Sequence, residues 1–156
     1  VIQTPFIGRR YRWLNIAGIA DFDGSGSTSI AIVQTPHLAG ILQFWRWSRG
    51  SLTLIDEAPG FSNHENGSRE QRLSAVGDFD GDGVTDLALP SLDRRKLHFV
   101  HFKDRLSKKF DVFASVAFPA RIDKAIDVQA RPGGLALNVG LDDSSVYAVR
   151  HSAQGG

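Results

Sequence analysis

The chain is organised around the segment Asp78-Phe79-Asp80-Gly81-Asp82-Gly83-Val84-Thr85-Asp86. Carboxylates stand at its first, third, fifth and ninth positions, and a glycine stands at the sixth. Alternate side chains can therefore turn onto one centre, while the glycine allows the backbone to bend sharply. This spacing suits a hard cation that prefers oxygen ligands, and it predicts a Ca²⁺ site.

The residues on either side of this segment indicate strands rather than helices. A helix-loop-helix calcium site would need a bidentate glutamate at the twelfth position, which is Leu89 here. The flanking runs at 75–77 and 87–89 are short and apolar, whereas globular helices usually extend over roughly 8–20 residues. We therefore predict a β-hairpin in which one strand ends near Gly77 and the next begins near Asp86.

An earlier and weaker copy of this segment precedes it in the chain. It keeps the carboxylates at the first and third positions, but serine replaces those at the fifth and ninth. Because the charge of the ligands helps to set calcium affinity, we predict weak binding or none at this first loop. Its ligands would be Asp21, Asp23, Ser25, Ser27 and Ser29. A third copy has lost the site, and its loop is reduced to residues 129–133.

The internal repeat extends beyond the acidic loops. Each loop is followed by two runs of β-branched and aromatic residues, at 41–47 and 52–55 in the first copy and at 97–102 and 110–113 in the second. Turn-forming residues bound these runs, which is typical of strands joined by hairpins. Four short antiparallel strands in each repeat of roughly 50–60 residues is the arrangement of a β-propeller blade. The predicted fold class is therefore all-β, with about three four-stranded blades.

These units together make the whole chain, residues 1–156, one predicted β-propeller segment. Residues 1–8 form the outer strand of a preceding blade and a connector, 9–66 form blade 1, 67–118 form blade 2, and 119–156 form an incomplete, degenerate blade 3. Propellers typically close with about 4–8 blades. Two explanations stay open: the chain is a piece of a longer propeller, or copies associate so that residues 1–4 complete the open blade of a neighbour.

The run from Ala75 to Leu89 resembles the FG-GAP or VCBS repeat, which is familiar from integrin α-subunit propellers and from many bacterial secreted proteins. In that family the acidic loop joins the first two strands of a blade and binds calcium. For the second loop, the resemblance implies side-chain ligands from four aspartates and one backbone carbonyl ligand, namely Asp78, Asp80, Asp82, Asp86 and the carbonyl of Val84.

Composition limits which partners the protein can bind and where in or outside the cell it is expected. The 156 residues carry 18 basic and 17 acidic side chains, so no overall charge attracts nucleic acid or an anionic membrane. Cysteine is absent, which excludes a disulfide framework and a thiolate metal site. No apolar run is long enough to predict membrane insertion.

Since calcium is plentiful outside the cytoplasm, we expect an extracellular or periplasmic protein. The absence of methionine suggests a mature or excised piece of a longer one.

We expect a non-catalytic module that binds a protein or a glycan. No nucleophile elbow or phosphate-binding glycine loop is present. His98 and His101 lie three apart on a predicted strand and so face opposite sides, which prevents them from sharing a metal. The chain is therefore predicted not to be an enzyme, although it could be the accessory propeller of a larger secreted one.

Three sequence features suggest alternative binding surfaces. The first would make the protein a lectin, with Trp45 and Trp47 stacking on a sugar beside Arg49 and Asp56; alternatively, the two indoles pack between blades. The second is a recurring arginine in the connectors, which could bind a ligand or tie one unit to the next. The third is the long polar connector at 61–68, since long loops carry function more often than strands do. The recurring arginines are Arg10, Arg69 and Arg121.

Overall fold

The computed structural model describes residues 13–103 and 108–150. Within these ranges the chain forms strands and turns without any helix, so none of it is a helix able to cross a membrane. The strands are β1 (Leu14–Ala20), β2 (Ser29–Gln34), β3 (Ile41–Ser48), β4 (Ser51–Ala58), β5 (Ala75–Gly77), β6 (Asp86–Pro90), β7 (Lys96–Phe102), β8 (Phe110–Ala117), β9 (Asp127–Arg131), β10 (Gly134–Gly140) and β11 (Val146–Val149).

The strands form three antiparallel sheets that follow chain order. Sheet 1 contains β1 to β4, sheet 2 contains β5 to β8, and sheet 3 contains β9 to β11. The predicted all-β class and the predicted four-stranded antiparallel units are therefore confirmed for sheets 1 and 2. The hairpin around the second acidic loop also agrees, since β5 ends at Gly77 and β6 begins at Asp86. The strand predicted at residues 1–4 lies outside the described residues.

The repeat is visible in the irregularities of the sheets as well as in the loops. The pairing of the third with the fourth strand shifts register after Phe44 in sheet 1 and after Phe99 in sheet 2, and the extra residue of each β-bulge lies in the fourth strand. Each connector pairs with the following sheet through an isolated bridge, Phe61 with Ser91 and Ile122 with Leu141. Sheets 1 and 2 are thus two copies of one structural unit.

Two hydrophobic layers hold the three sheets together. Leu42 and Phe44 of sheet 1 belong to the same core cluster as Leu87 and Leu89 of sheet 2. The opposite face of sheet 2 joins sheet 3 in a second cluster, which includes Ala88, Leu97, Phe99, Leu137 and Val139. Because β6 is covered on both faces, all five of its residues are buried, and its sequence is continuously apolar after Asp86 rather than alternating. Sheet 2 therefore lies between sheets 1 and 3.

Sheet 3 differs from the prediction at its first turn. Residues 129–133 were expected to be a shortened remnant of the acidic loop, yet β9 continues through Arg131, which pairs directly with Gly134. Only Pro132 and Gly133 remain as the turn, and Gly133 has a φ of 84°, a conformation that glycine adopts without steric cost. The third unit has replaced the loop with a two-residue hairpin turn.

Gly40 provides a test of how tightly the connector packs on sheet 1. A Cβ at this position would overlap the carbonyl oxygen of Phe61, and the backbone φ is +54°. We expect Gly40→Ala to lower the free energy of unfolding by about 3 kcal/mol or more, because strain and overlap add. Gly50→Ala is the matched control, since its φ is +80° but no atom lies within 4 Å of the added Cβ; it should cost only about 1–2 kcal/mol. Equal losses in urea denaturation would contradict this packing.

Candidate metal centre

The second acidic loop is closed by the register of its hairpin. Gly77 pairs with Asp86 at the ends of β5 and β6, which brings the first and last aspartates of the loop to the same end of the sheet. Gly81 and Gly83 both have a φ of 83°, so the loop uses glycine where other residues would be strained. Phe79 is buried and meets Phe99 of the same sheet edge-on, with ring centroids 5.4 Å apart. The loop is therefore anchored by an aromatic contact at its second residue.

Backbone amides hold the carboxylates of this loop in place. Asp78 accepts hydrogen bonds from Gly81 N at 2.7 Å and from Gly83 N at 3.0 Å. Asp80 accepts from Asp82 N at 3.1 Å, and Asp82 accepts from Val84 N at 2.7 Å. One carboxylate oxygen from each of Asp78, Asp80 and Asp82 lies within 4.8 Å of the others. Three of the four predicted aspartates thus lie together in one small region.

Asp86 is the most buried member of the set, at 1% exposure. Its Oδ2 accepts a hydrogen bond from Phe79 N at 2.7 Å, whereas its Oδ1 has no donor among the described residues. Burial raises the pKa of Asp86 to about 7, and the negative charges of Asp80 and Asp82 raise it further against the opposing hydrogen bond from Phe79. A buried carboxylate oxygen without a partner costs free energy, and a cation would remove that cost.

His101 belongs to this site although sequence analysis did not assign it. Its Nδ1 lies 3.0 Å from Asp80 Oδ2, and it forms a second cluster with Asp80 and Asp86 in which the ligand atoms lie within 4.8 Å of one another. The register of β6 and β7 explains why His101 reaches the loop. Leu87 pairs with Val100, so the next residues outward, Asp86 and His101, are cross-strand neighbours. His98 instead contacts Ser115 Oγ at 2.7 Å, as strand alternation predicts.

The first acidic loop has a different charge environment. Asp21 accepts hydrogen bonds from Ser25 N at 3.0 Å and from Gly26 N at 2.7 Å, so its backbone resembles that of the second loop. Asp23, however, is buried and forms an ion pair with the guanidinium of Arg46. Arg46 pairs with Ser29 in the sheet, the position that His101 occupies relative to Asp86. A side-chain cation therefore already neutralises Asp23.

The remaining predicted ligands of the first loop contribute little. Ser25 Oγ accepts a hydrogen bond from Ser27 N at 3.3 Å. Ser29 is fully buried, and its Oγ has no partner among the described residues. Only two carboxylates are present, and one of them is paired with Arg46. The Arg46 ion pair is thus a second reason, beyond the number of ligands, to predict weak calcium binding at this loop.

The other candidate surfaces are not assembled as the sequence suggested. Trp45 is 7% exposed while Trp47 is 53% exposed, so the two indoles do not form an exposed pair. Asp56 is also buried, where it accepts hydrogen bonds from Lys109 Nζ at 2.6 Å and from Phe110 N at 3.1 Å. The predicted sugar surface of two exposed indoles beside Asp56 is therefore not formed. Asp56 instead ties sheet 1 to sheet 2.

The connectors also differ from the expected binding surface. Residues 61–64 are buried, and only 65–68 reach the surface. Asn63 Nδ2 donates to the carbonyl of Ile16 at 3.2 Å, and Asn15 Nδ2 donates to the carbonyl of Asn63 at 3.1 Å. The first half of the connector is thus part of the structural core. Of the recurring arginines, Arg69 and Arg121 are exposed, and Arg10 lies outside the described residues.

Comparison of the chain with protein-family models and with curated proteins found no match. The resemblance to FG-GAP and VCBS repeats consequently rests on the loop and strand pattern described above, and it stays a prediction.

The raised pKa of Asp86 predicts a pH dependence in calcium-free protein. Its folded pKa of about 7 lies above the ordinary value of 3.8, so the folded state holds the proton more tightly than the unfolded state does. This contribution to stability is present below about pH 4 and is lost as the pH rises through about 7. In metal-free buffer, we expect the melting temperature of the wild type to fall relative to that of Asp86→Asn between pH 5 and pH 7.5.

The exposed Asp111 provides the control for this comparison. Asp111→Asn should keep the pH slope of the wild type, and saturating Ca²⁺ should remove the difference between the wild type and Asp86→Asn slopes. Identical slopes for the wild type and Asp86→Asn in metal-free buffer would show that Asp86 is ionised there.

Proposed function

We propose that this protein is a non-catalytic, calcium-binding repeat module of the β-propeller type, resembling FG-GAP and VCBS repeats, that acts as an interaction scaffold outside the cytoplasm. One observation carries the calcium assignment: three aspartates of a single hairpin loop lie together, and Asp80 also groups with Asp86 and His101. All four carboxylates accept hydrogen bonds from backbone amides, while Asp86 keeps one buried oxygen with no donor among the described residues. Its partner class is a protein or a glycan, and neither nucleic acid nor a membrane is proposed.

The donor set fits Ca²⁺ better than other common cations. Carboxylate and carbonyl oxygens are the ligands of hard cations, and Ca²⁺ accepts six to eight of them in flexible geometry, whereas Mg²⁺ demands a near-ideal octahedron. Asp78, Asp80, Asp82 and Asp86 would hold the ion, with the carbonyl of Val84 as a backbone ligand. Bound calcium would offset the repulsion among these carboxylates and would favour the ionised form of Asp86. The ion is thus assigned a structural role in the hairpin.

The propeller assignment is supported by the repetition of the sheets. Sheets 1 and 2 share strand order, bulge position and the aromatic anchor of the acidic loop, and successive sheets pack face to face. Three sheets are fewer than the roughly 4–8 blades of a propeller. The outward face of sheet 1 also exposes Ile16, Ile19 and Trp47. We propose that further sheets cover this face, supplied by a longer chain or by a second copy.

Calcium should raise the thermal stability of the protein through the second loop. A ligand that binds only the folded state at 100 times its Kd contributes about 2.7 kcal/mol, which for a domain of this size raises the melting temperature by about 5–10 °C. We expect this rise for the wild type in millimolar calcium relative to chelator at pH 7.5. Unchanged melting would exclude a structural calcium site.

Two aspartate variants at equivalent loop positions compare the calcium affinities of the two loops. Asp80→Ala should weaken calcium binding by more than the roughly 10- to 100-fold typical when a residue that only supports a ligand is removed. Asp23→Ala should change calcium affinity little, because Arg46 already neutralises Asp23, although it should lower stability by leaving Arg46 without its partner. Calorimetric titration of both variants measures this difference. Equal losses of calcium affinity would show that the loops are ranked wrongly.

The exposed face of sheet 1 predicts self-association of the isolated chain. Light scattering should report a mass at least twice the 17.0 kDa of one chain, because burial of apolar surface favours association. Ile19→Glu, which places a charge on this face, should shift the mass to that of one chain, while Asp111→Asn should not. A wild-type mass of one chain would leave only the explanation in which a longer chain supplies the covering sheets.

A further inference from the structure

A cleft of about 240 Å³ lies where sheet 1 meets sheet 2. Its walls come from the turn after β2, the turn after β6 and the connector after β4. In each meander these loops leave the sheet at the end opposite the acidic loops, which join β1 to β2 and β5 to β6. The cleft is therefore separate from the calcium site. It is lined by Pro36, His37, Ser62, His64, Glu65, Asn66, Leu92 and Arg94.

The hydrogen bonds of His64 determine which of its ring nitrogens can bind a ligand. Its Nε2 lies 3.2 Å from the carbonyl oxygen of Ser68, and since a carbonyl only accepts, Nε2 carries the proton. In the neutral imidazole the lone pair is therefore on Nδ1. This Nδ1 lies 3.3 Å from Nε2 of His37. A histidine oriented by a backbone carbonyl on its far nitrogen is the usual arrangement of a metal ligand.

The distance between the two histidine nitrogens agrees with a shared metal ion. Zinc binds imidazole nitrogen at about 2.0–2.1 Å in tetrahedral geometry, which places two nitrogen ligands about 3.3–3.4 Å apart. The same 3.3 Å also allows a simple hydrogen bond from His37 to His64. Both histidines line the cleft, whose volume is enough for water or for a further ligand of a metal ion.

Burial and charge around the pair are compatible with binding. His64 is 1% exposed, and burial is the main cause of the lowered pKa of both His37 and His64, with the positive charge of Arg94 lowering it further. The lowered pKa favours the neutral imidazole, which is the form that binds metal. Arg94 would repel a cation, but Glu65 neutralises it through hydrogen bonds of 2.6 and 2.8 Å.

We propose that His37 and His64 bind one divalent transition-metal ion in this cleft, with His37 Nε2 and His64 Nδ1 as ligands and the remaining positions open to water or to a ligand from a partner. Imidazole ligands suit Zn²⁺, Ni²⁺ and Cu²⁺, and Cu²⁺ binds most tightly of the three in the general order of affinities. This site goes beyond the proposed calcium function and does not depend on it.

Trp13 makes the site observable by fluorescence. Its indole lies 4.3 Å from the His64 ring and 5.6 Å from the His37 ring, measured between centroids. Cu²⁺ bound between the two imidazoles should therefore quench Trp13. Titration with CuCl₂ at pH 7.5, with Ca²⁺ saturating, should give saturable quenching at one equivalent. Trp13→Phe separates this signal from those of Trp45 and Trp47.

Variants of single histidines test the assignment. His37→Ala, in a half-buried turn, should weaken Cu²⁺ binding at least tenfold, whereas His98→Ala, whose side chain contacts Ser115 elsewhere in sheet 2, should bind like the wild type. Asp80→Ala should also retain the Cu²⁺ site, which distinguishes this proposal from the calcium proposal. Equal affinity for the wild type and His37→Ala would overturn it.

Electron paramagnetic resonance of the wild type provides a second test that needs no variant. Cu²⁺ at one equivalent should show coupling to nitrogens of two imidazoles. A spectrum without nitrogen coupling would overturn the proposal even if His37→Ala failed to fold.

Discussion

Repulsion among carboxylates in one short turn is the constraint on which the two acidic hairpins of this protein depend. Asp78, Asp80 and Asp82 lie close together, and Asp86 is buried, so a proton or a nearby positive charge is needed to offset their repulsion. In the first loop that charge belongs to the chain itself, because Arg46 pairs with Asp23. In the second loop His101 occupies the equivalent cross-strand position and contacts Asp80, and no arginine stands there. One residue of the third strand thus distinguishes two loops whose backbones are similar.

Aromatic packing makes this electrostatic arrangement possible. The phenylalanine after the first aspartate of each loop is buried against a phenylalanine of the third strand: Phe22 lies 5.1 Å from Phe44, and Phe79 lies 5.4 Å from Phe99, between ring centroids. These contacts hold the start of each loop over the sheet core, so the carboxylates cannot separate freely to relieve their repulsion. Backbone amides then fix individual oxygens. Apolar burial therefore positions charges that would otherwise spread apart.

The two ends of the sheets have different chemistry. One end carries the acidic loops with oxygen ligands. The other carries the connectors, where His37 and His64 present nitrogen ligands beside the Glu65–Arg94 pair. Hard cations prefer the first kind of site and transition metals the second. Since the connectors also join successive sheets, a ligand in the cleft would contact two sheets at once. The two proposed sites would thus select different ions.

The amino-acid sequence by itself determined the all-β class, the four-stranded units of sheets 1 and 2, and the hairpin around the second acidic loop. These follow from local patterns, since alternation along a strand and the spacing of Asp and Gly act within a few residues. Tertiary structure decided which distant side chains meet. Arg46 reaches Asp23 only through strand register, Trp45 is buried while Trp47 is exposed, and His37 meets His64 across a connector. Register, bulges and sheet stacking depend on contacts between residues far apart in the chain, and no local pattern records them.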